Sequence, residues 1–322
     1  MNLGIIGAGL IVKDFLTISK DLSEIKLKAI VGTTRSIENL ENLSATYGIE
    51  KIFTDIDSCL EQDDIDTIYV AIPNNMHYDI VKKALLKGKN VICEKPFTLF
   101  YEETKELVEL ARSKNLILIE AITNQYLDNY LEIKKRVAEL GEVRLIEANF
   151  SQLSSRYGAF KEGVLAPVFD KTKGGGVLND LNIYNIHFVV GIFGKPTDVK
   201  YYPNIVRDVD TSGILVLQYE TFKAVCIAAK DTFNNSYVHI QGDEGLLTMH
   251  GGSNEVASYS IKTKDILEEN INKNIHAHRM YSEFKKFAEV IVNKDFDFVN
   301  EQLEHSLNVM EVLDKAKKSA EL

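Results

Sequence analysis

The feature that most constrains this chain is a rhythm in its first 120 residues. Short apolar runs recur at LGIIG (3–7), LKAIV (27–31), KIF (51–53), TIYVAI (67–72), NVIC (90–93) and LILIE (116–120). Between them lie segments of helical character, at 36–46, 77–87 and 101–114 among others. In the last of these, Leu107, Leu110 and Ala111 share one face at i, i+3, i+4 spacing. Strands alternating with helices predict right-handed crossovers and an α/β, doubly wound parallel sheet with helices on both faces. The runs are continuously apolar, as strands buried on both sides must be.

Past residue 120 the rhythm changes. A helix is expected at 126–139, then strands at 143–152, 197–206, 212–219, 223–230, 235–241 and 245–249. Turn chemistry such as FNN and GDEG joins neighbouring strands, which predicts a mostly antiparallel sheet of α+β type. A helix follows KGGGVLND, and two more close the chain, at about 278–293 and 300–318. No proline- or serine-rich linker marks the change near 121–125. Two closely joined domains are expected, 1–121 and 122–322.

Composition narrows the partners. The net charge of −10, from 37 basic and 47 acidic residues, argues against broad binding to nucleic acid or acidic membranes. No apolar run approaches the roughly 20 residues of a membrane span. The opening MNLGIIGAG is a strand without a preceding basic region, which is not a signal-peptide pattern. Cys59, Cys93 and Cys226 are far apart and form no CxxC pair, so a reduced, cytoplasmic setting is expected. The histidines are scattered, and no metal site is expected.

Gly7-Ala8-Gly9 stands directly after the first strand and before a helix. Glycine permits the tight turn, and a bare backbone lets a pyrophosphate reach the helix N-terminus. Gly7, Gly9, Leu10 and Ile11 are therefore candidate cofactor-binding residues, although Val12 replaces the last glycine or alanine of the full fingerprint. NAD would call for an acid at the end of the second strand. The chain has IVGTTRS there, so Thr33, Thr34 and Arg35 suit a 2′-phosphate, and NADP is expected ahead of NAD.

Ligands of doubly wound sheets lie at the carboxyl ends of the strands. Ile72, Pro73 and Asn74 end the fourth strand, and Glu94, Lys95 and Pro96 end the fifth. Asn74 can bond ribose hydroxyls, and Glu94 can hold the Lys95 ammonium or bond the cofactor. His77, in the first turn of the next helix, is either a ring near the nicotinamide or a structural helix-end histidine. After KGGGVLN, Asp180, Tyr184 and His187 fall at i, i+4 and i+7 on one helix face. His187 is expected to be a core or interface residue.

Four stretches, GIIGAG (4–9), VAIPNNMHYDIVKKAL (70–85), GKNVICEKPFTL (88–99) and GGGVLNDLNIY (174–184), together resemble one family. It is the glucose–fructose oxidoreductase / inositol dehydrogenase / rhizopine-catabolism (Gfo/Idh/MocA) family. The Asp-x-x-x-Tyr form at 180–184 is most similar to its glucose–fructose oxidoreductase and dihydrodiol dehydrogenase branch. The resemblance implies a Rossmann nucleotide-binding domain, then an open antiparallel sheet, a site between them, and dimers or tetramers formed through that sheet. Asn182 departs from the glycine usual there, with consequences expected for the helix start or the pocket.

The resemblance implies an oxidoreductase that moves a hydride between nicotinamide and a hydroxyl or carbonyl carbon of a sugar, polyol or related small molecule. Lys95, Tyr184 and Asp180 are the expected catalytic residues. Tyr184 would exchange the proton with help from cationic Lys95, while Asp180, Tyr184 and Asn124 meet the substrate. One alternative is a nucleotide-binding regulator without turnover, against which Lys95 and Tyr184 both argue. Another is an enzyme that recycles a tightly held cofactor.

Overall fold

The computed structural model describes residues 1–322. Six apolar runs form one sheet: β1 (Asn2–Ile6), β2 (Lys26–Val31), β3 (Lys51–Phe53), β4 (Thr67–Val70), β5 (Asn90–Glu94) and β6 (Leu118–Ala121). All its pairings are parallel, in the order β3-β2-β1-β4-β5-β6. Helices α1 (Leu10–Thr17), α2 (Ile37–Tyr47), α3 (Ile56–Leu60), α4 (His77–Leu86) and α5 (Tyr101–Ser113) supply the crossovers. Residues such as Ile5, Ile30, Ile68 and Ile92 are fully buried, as a sheet covered on both faces requires. Strand order reverses beside β1. The turns after β1 and β4 therefore flank the switch point where such sheets bind ligands.

The second sheet has eight strands. Helix α6 (Asp128–Arg136) precedes β7 (Val143–Ser151), and a short α7 (Tyr157–Lys161) leads towards α8 (Ile183–Phe193). Strands β8 (Asp198–Val206), β9 (Val209–Gln218), β10 (Lys223–Ala229), β11 (Tyr237–Gly242), β12 (Gly245–His250), β13 (Ser258–Thr263) and β14 (Glu269–Ile271) follow. Their order is β14-β13-β12-β11-β7-β10-β9-β8, antiparallel except for β7 beside β10. Helix α8 packs on this sheet through Ile183, Ile186 and Val190, all buried.

The chain ends in α9 (Met280–Asn293) and α10 (Phe296–Ser319), the latter starting four residues before its expected position. Two compact units result: Met1–Ala121 with Met280–Ser306, and Ile122–Arg279 with Leu307–Leu322. The first crossing falls where the sequence rhythm changes. Residues 280–306, expected in the second domain, group with the first. The cause is aromatic packing: Phe284 stacks on Phe15 at 4.0 Å between ring centroids and meets Tyr69 edge-on at 5.1 Å. No helix is long and apolar enough to cross a membrane.

Candidate active site

In the first unit, the turn after β1 is built on two glycines with different reasons for being glycine. Gly7 has φ +124°, and a Cβ there would lie 2.1 Å from the carbonyl oxygen of Ala71. A Cβ on Gly9 would meet nothing within 4 Å. Gly9 begins α1 without a side-chain cap, and the open space beside it adjoins the first helical turn, whose amides no capping side chain occupies. That space fits a pyrophosphate, with Leu10 exposed and Ile11 partly buried at the helix start. Val12, the departure from the fingerprint, is wholly buried and serves as helix–sheet packing.

At the end of β2, Thr33, Thr34 and Arg35 are exposed. Ser36 closes this turn: its hydroxyl donates to the Thr33 carbonyl at 2.8 Å and accepts from the Thr33 N–H at 2.9 Å. The exposed tip carries hydroxyls and a guanidinium and no carboxylate. These residues fit a 2′-phosphorylated ribose.

The turns after β4 and β5 are fastened together. His77 is fully buried; Nδ1 lies 3.0 Å from the Pro96 carbonyl oxygen and Nε2 2.9 Å from that of Ile72. Its two nitrogens face the protein, so a ring beside the nicotinamide gives way to a clasp. The Phe97 N–H donates to Glu120 Oε1 at 3.0 Å, and the Ser306 hydroxyl donates to Oε2 at 2.6 Å. Lys95 is partly buried and joins a cis peptide to buried Pro96. Thus the backbone on the far side of Lys95 is fixed at residues 96 and 97. Glu94, expected to serve Lys95 or the cofactor, accepts from the buried Tyr69 hydroxyl at 2.6 Å. Pro73 is exposed and Asn74 partly buried at the mouth of the same turn.

In the second unit, the candidate residues lie where α8 begins. The first turns, Leu178–Asn182, are a π-helix rather than the α-helix expected, a form often found at functional sites. Asp210 holds this start: the Leu178 N–H and the Tyr201 hydroxyl each donate to its Oδ2 at 2.8 Å. Gly176, at φ +119°, passes so close that a Cβ would sit 2.0 Å from Asp210 Oδ1. Burial raises the Asp210 carboxyl above its usual range, against those two hydrogen bonds.

Tyr184 is 7% exposed, its ring edge-on to Phe150 at 5.9 Å. Asn124, expected to meet substrate, is wholly buried and donates from Nδ2 to the Tyr184 carbonyl at 2.9 Å. That amide is a tie on the tyrosine's backbone. Asn182 is likewise buried and donates to the Cys226 carbonyl at 3.2 Å. Its departure from glycine serves the helix–sheet contact rather than a pocket. His187 is buried, as expected.

The residue that sequence reading misses is Lys230. Its Nζ donates to Asp180 Oδ2 at 2.5 Å, with the lysine side chain 4% exposed and the aspartate 29%. The ammonium also lies 4.9 Å from the centroid of the Phe169 ring. At the end of an apolar strand a lysine reads as solvated, and only the fold brings positions 180 and 230 together.

The chain is similar to known proteins in sequence and in fold. Residues 1–122 match the model of the Gfo/Idh/MocA oxidoreductase family, NAD-binding Rossmann fold, and residues 130–248 match the Gfo/Idh/MocA C-terminal domain. The chain is 30% identical to scyllo-inositol 2-dehydrogenase (NADP(+)) of Bacillus subtilis over 322 residues, 99% of this chain and 96% of that protein. It is 30% identical to trans-1,2-dihydrobenzene-1,2-diol dehydrogenase of Xenopus tropicalis over 221 residues, 67% of this chain and 64% of that one. In fold it is similar to a 3-ketoreductase of Actinomadura kijaniata solved with NADP and TDP-benzene. The TM-score is 0.87 at 22% identity, covering 99% of this chain and 97% of the other. The chain belongs to the Gfo/Idh/MocA family of oxidoreductases, with an NAD(P)-binding Rossmann domain at its N-terminus.

Proposed function

We propose that this protein is a dehydrogenase or reductase of a hydroxyl-rich small molecule, a cyclitol, sugar or dihydrodiol, that favours NADP(H) over NAD(H). The observation that carries the reading is the start of α8. There a π-turn, an Asp180 paired to a buried lysine and a nearly buried Tyr184 stand one helical turn apart. The names of its relatives support the substrate class, and that of the Bacillus enzyme supports the phosphorylated cofactor.

The residues that would hold the nucleotide are Gly7, Gly9, Leu10 and Ile11 through backbone, Thr33, Thr34 and Arg35 at the 2′-phosphate, and Ile72, Pro73 and Asn74 near the ribose. When bound, a nicotinamide supplies two-electron exchange at the substrate carbon. The protein must then move a proton at the substrate oxygen. Tyr184 carries a hydroxyl that can give or take it. Lys95, a cation on a fixed turn, stabilises negative charge developing on that oxygen. Asp180, held by Lys230 and partly exposed, has a carboxylate that can accept from and orient a neighbouring hydroxyl. Glu94 accepts from Tyr69 on Oε1, which supports the turn, and its carboxylate can also hold the Lys95 ammonium or bond the cofactor.

The three cysteines are free and buried, which supports a reduced, cytoplasmic setting. Tyr202 and Ile214 are cross-strand partners and exposed at 63% and 44%, which supports a homo-oligomer formed through the second sheet.

The test is a substrate panel of cyclitols, aldoses, polyols and a trans-dihydrodiol, with NADP and NAD, followed at the nicotinamide absorbance band. Turnover with a lower Michaelis constant for NADP is expected. A clear NAD preference sinks the cofactor assignment. Nucleotide binding without turnover of any member points to a regulator.

A further inference from the structure

We infer that Lys230 is a positioning residue: its ammonium fixes the Asp180 carboxylate and acts on the substrate through it. The inference rests on the reading of Asp180 as a substrate-facing group. A lysine closing a strand ordinarily extends into water. This one is sealed, with its Nζ 2.5 Å from Asp180 Oδ2 and over the face of Phe169. Burying an ammonium is unfavourable unless a partner compensates it. The partner is the more open member of the pair, 29% exposed against 4%. An ion pair sealed on the cationic side and open on the anionic side presents a carboxylate. One of its oxygens is directed by the lysine, and the partly exposed carboxylate is an acceptor for a hydroxyl.

The frame around the pair fixes its span. Asp210 accepts from the Leu178 N–H and so anchors the helix start that bears Asp180. The next residue, Thr211, accepts from the Lys230 N–H at 2.8 Å through its carbonyl. Two consecutive residues of β9 thus hold the Lys230 backbone and the helix start that carries Asp180. On the other side, the Ser154 N–H donates to the Lys230 carbonyl at 2.9 Å. Phe169, beneath the ammonium, is stacked on Phe160 at 4.5 Å in a small cluster with Val209. The lysine has no freedom to swing away, and the carboxylate is held with it.

A double-mutant cycle tests this. Lys230→Met, Asp180→Asn and the combined variant are assayed with the best substrate of the panel, alongside nucleotide affinity and thermal melts. A group that orients a reacting substrate contributes to kcat more than to KM. Lys230→Met is therefore expected to lower kcat/KM by about 100-fold, mainly in kcat, with nucleotide affinity unchanged. The combined variant should lie within about threefold of Asp180→Asn, because Lys230 acts only through Asp180. Additive losses, or Lys230→Met within about threefold of wild type, would overturn the inference while leaving the Asp180 reading intact. If Lys230→Met does not fold, the combined variant, which lacks both charges, decides alone against Asp180→Asn. Near-normal turnover in Asp180→Asn would overturn the underlying reading instead.

Discussion

The imidazole of His77 bridges two chain segments, with Pro96 on its Nδ1 side at 3.0 Å and Ile72 on its Nε2 side at 2.9 Å. A neutral ring donates from only one nitrogen, and a cation would satisfy both carbonyls. Complete burial outweighs those hydrogen bonds and lowers the pKa of His77. The folded protein therefore resists a proton that the unfolded chain accepts below its ordinary value of 6.5. Stability should fall as pH drops through that value. Thermal melts from about pH 5 to 8 should show a decline in wild type that flattens in His77→Ala. At neutral pH the variant should be less stable by about 1–3 kcal/mol. Parallel profiles for the two proteins would remove His77 as the cause.

Lys95→Met and Tyr184→Phe should each reduce kcat by about 10²–10⁴-fold, the range for groups that move or stabilise a proton in flight. Nucleotide binding, read by quenching or calorimetry, should survive the tyrosine change. Turnover close to normal in both would withdraw the acid–base assignment.

The two glycines of the first turn should separate folding from binding. Gly7→Ala meets the Ala71 carbonyl and an unfavourable φ, so it should lower stability by about 1–3 kcal/mol. Gly9→Asp enters open space and places an acid at a helix N-terminus, which is neutral or stabilising for the apo protein. It should weaken nucleotide binding by about 100-fold or more through repulsion of the phosphates. A Gly9→Asp protein that binds NADP normally would move the phosphate site elsewhere.

Arg35→Ala should reduce the ratio of kcat/KM for NADP over NAD by about tenfold or more, through loss of a charge-assisted hydrogen bond. The effect should shrink at high salt, since the group is exposed. Steady-state kinetics with both nucleotides at two ionic strengths measure it. An unchanged ratio would make Arg35 a solvated loop charge.

Glu120 is 2% exposed and takes the Phe97 amide on one oxygen and the Ser306 hydroxyl on the other. Ser306→Ala should cost about 1–3 kcal/mol by stripping a buried carboxylate oxygen of that donor. Glu120→Ala should cost at least as much and also lower turnover, because it frees the turn that carries Lys95. Melts together with kcat separate the two effects. Full activity in Glu120→Ala would show that the His77 clasp alone suffices.

The parallel sheet was legible because each of its strands is an unbroken apolar run between helical segments. The β8 to β12 series was legible from its turns. Strands β13 and β14 escaped: SYSIKT mixes polar and apolar residues too evenly, and Glu269–Ile271 is a three-residue edge. Lys95, Asp180 and Tyr184 stood out because sequence neighbours, a proline after one and glycines before the others, mark unusual backbone. Lys230 has no such neighbours. Its partner lies fifty positions away, and local sequence carries no trace of that distance. Asn124 and His77 were placed correctly along the chain. His77 takes the structural of its two expected roles and Asn124 turns inward, a choice the sequence leaves open because a polar side chain near a ligand edge looks the same whether it turns outward or binds a backbone carbonyl.

The stacking of Phe284 on Phe15 carries a consequence for the order of assembly during synthesis. The strands and helices of the first unit emerge from the ribosome early, with Phe15 and Tyr69 still lacking the ring that covers them. Residues 122–279 must all be made before α9 follows. At about 5–20 residues per second, the nucleotide-binding unit waits on the order of ten seconds for its last piece. During that interval a ready-made sheet displays an uncovered aromatic face, the surface on which a chaperone would be expected to act.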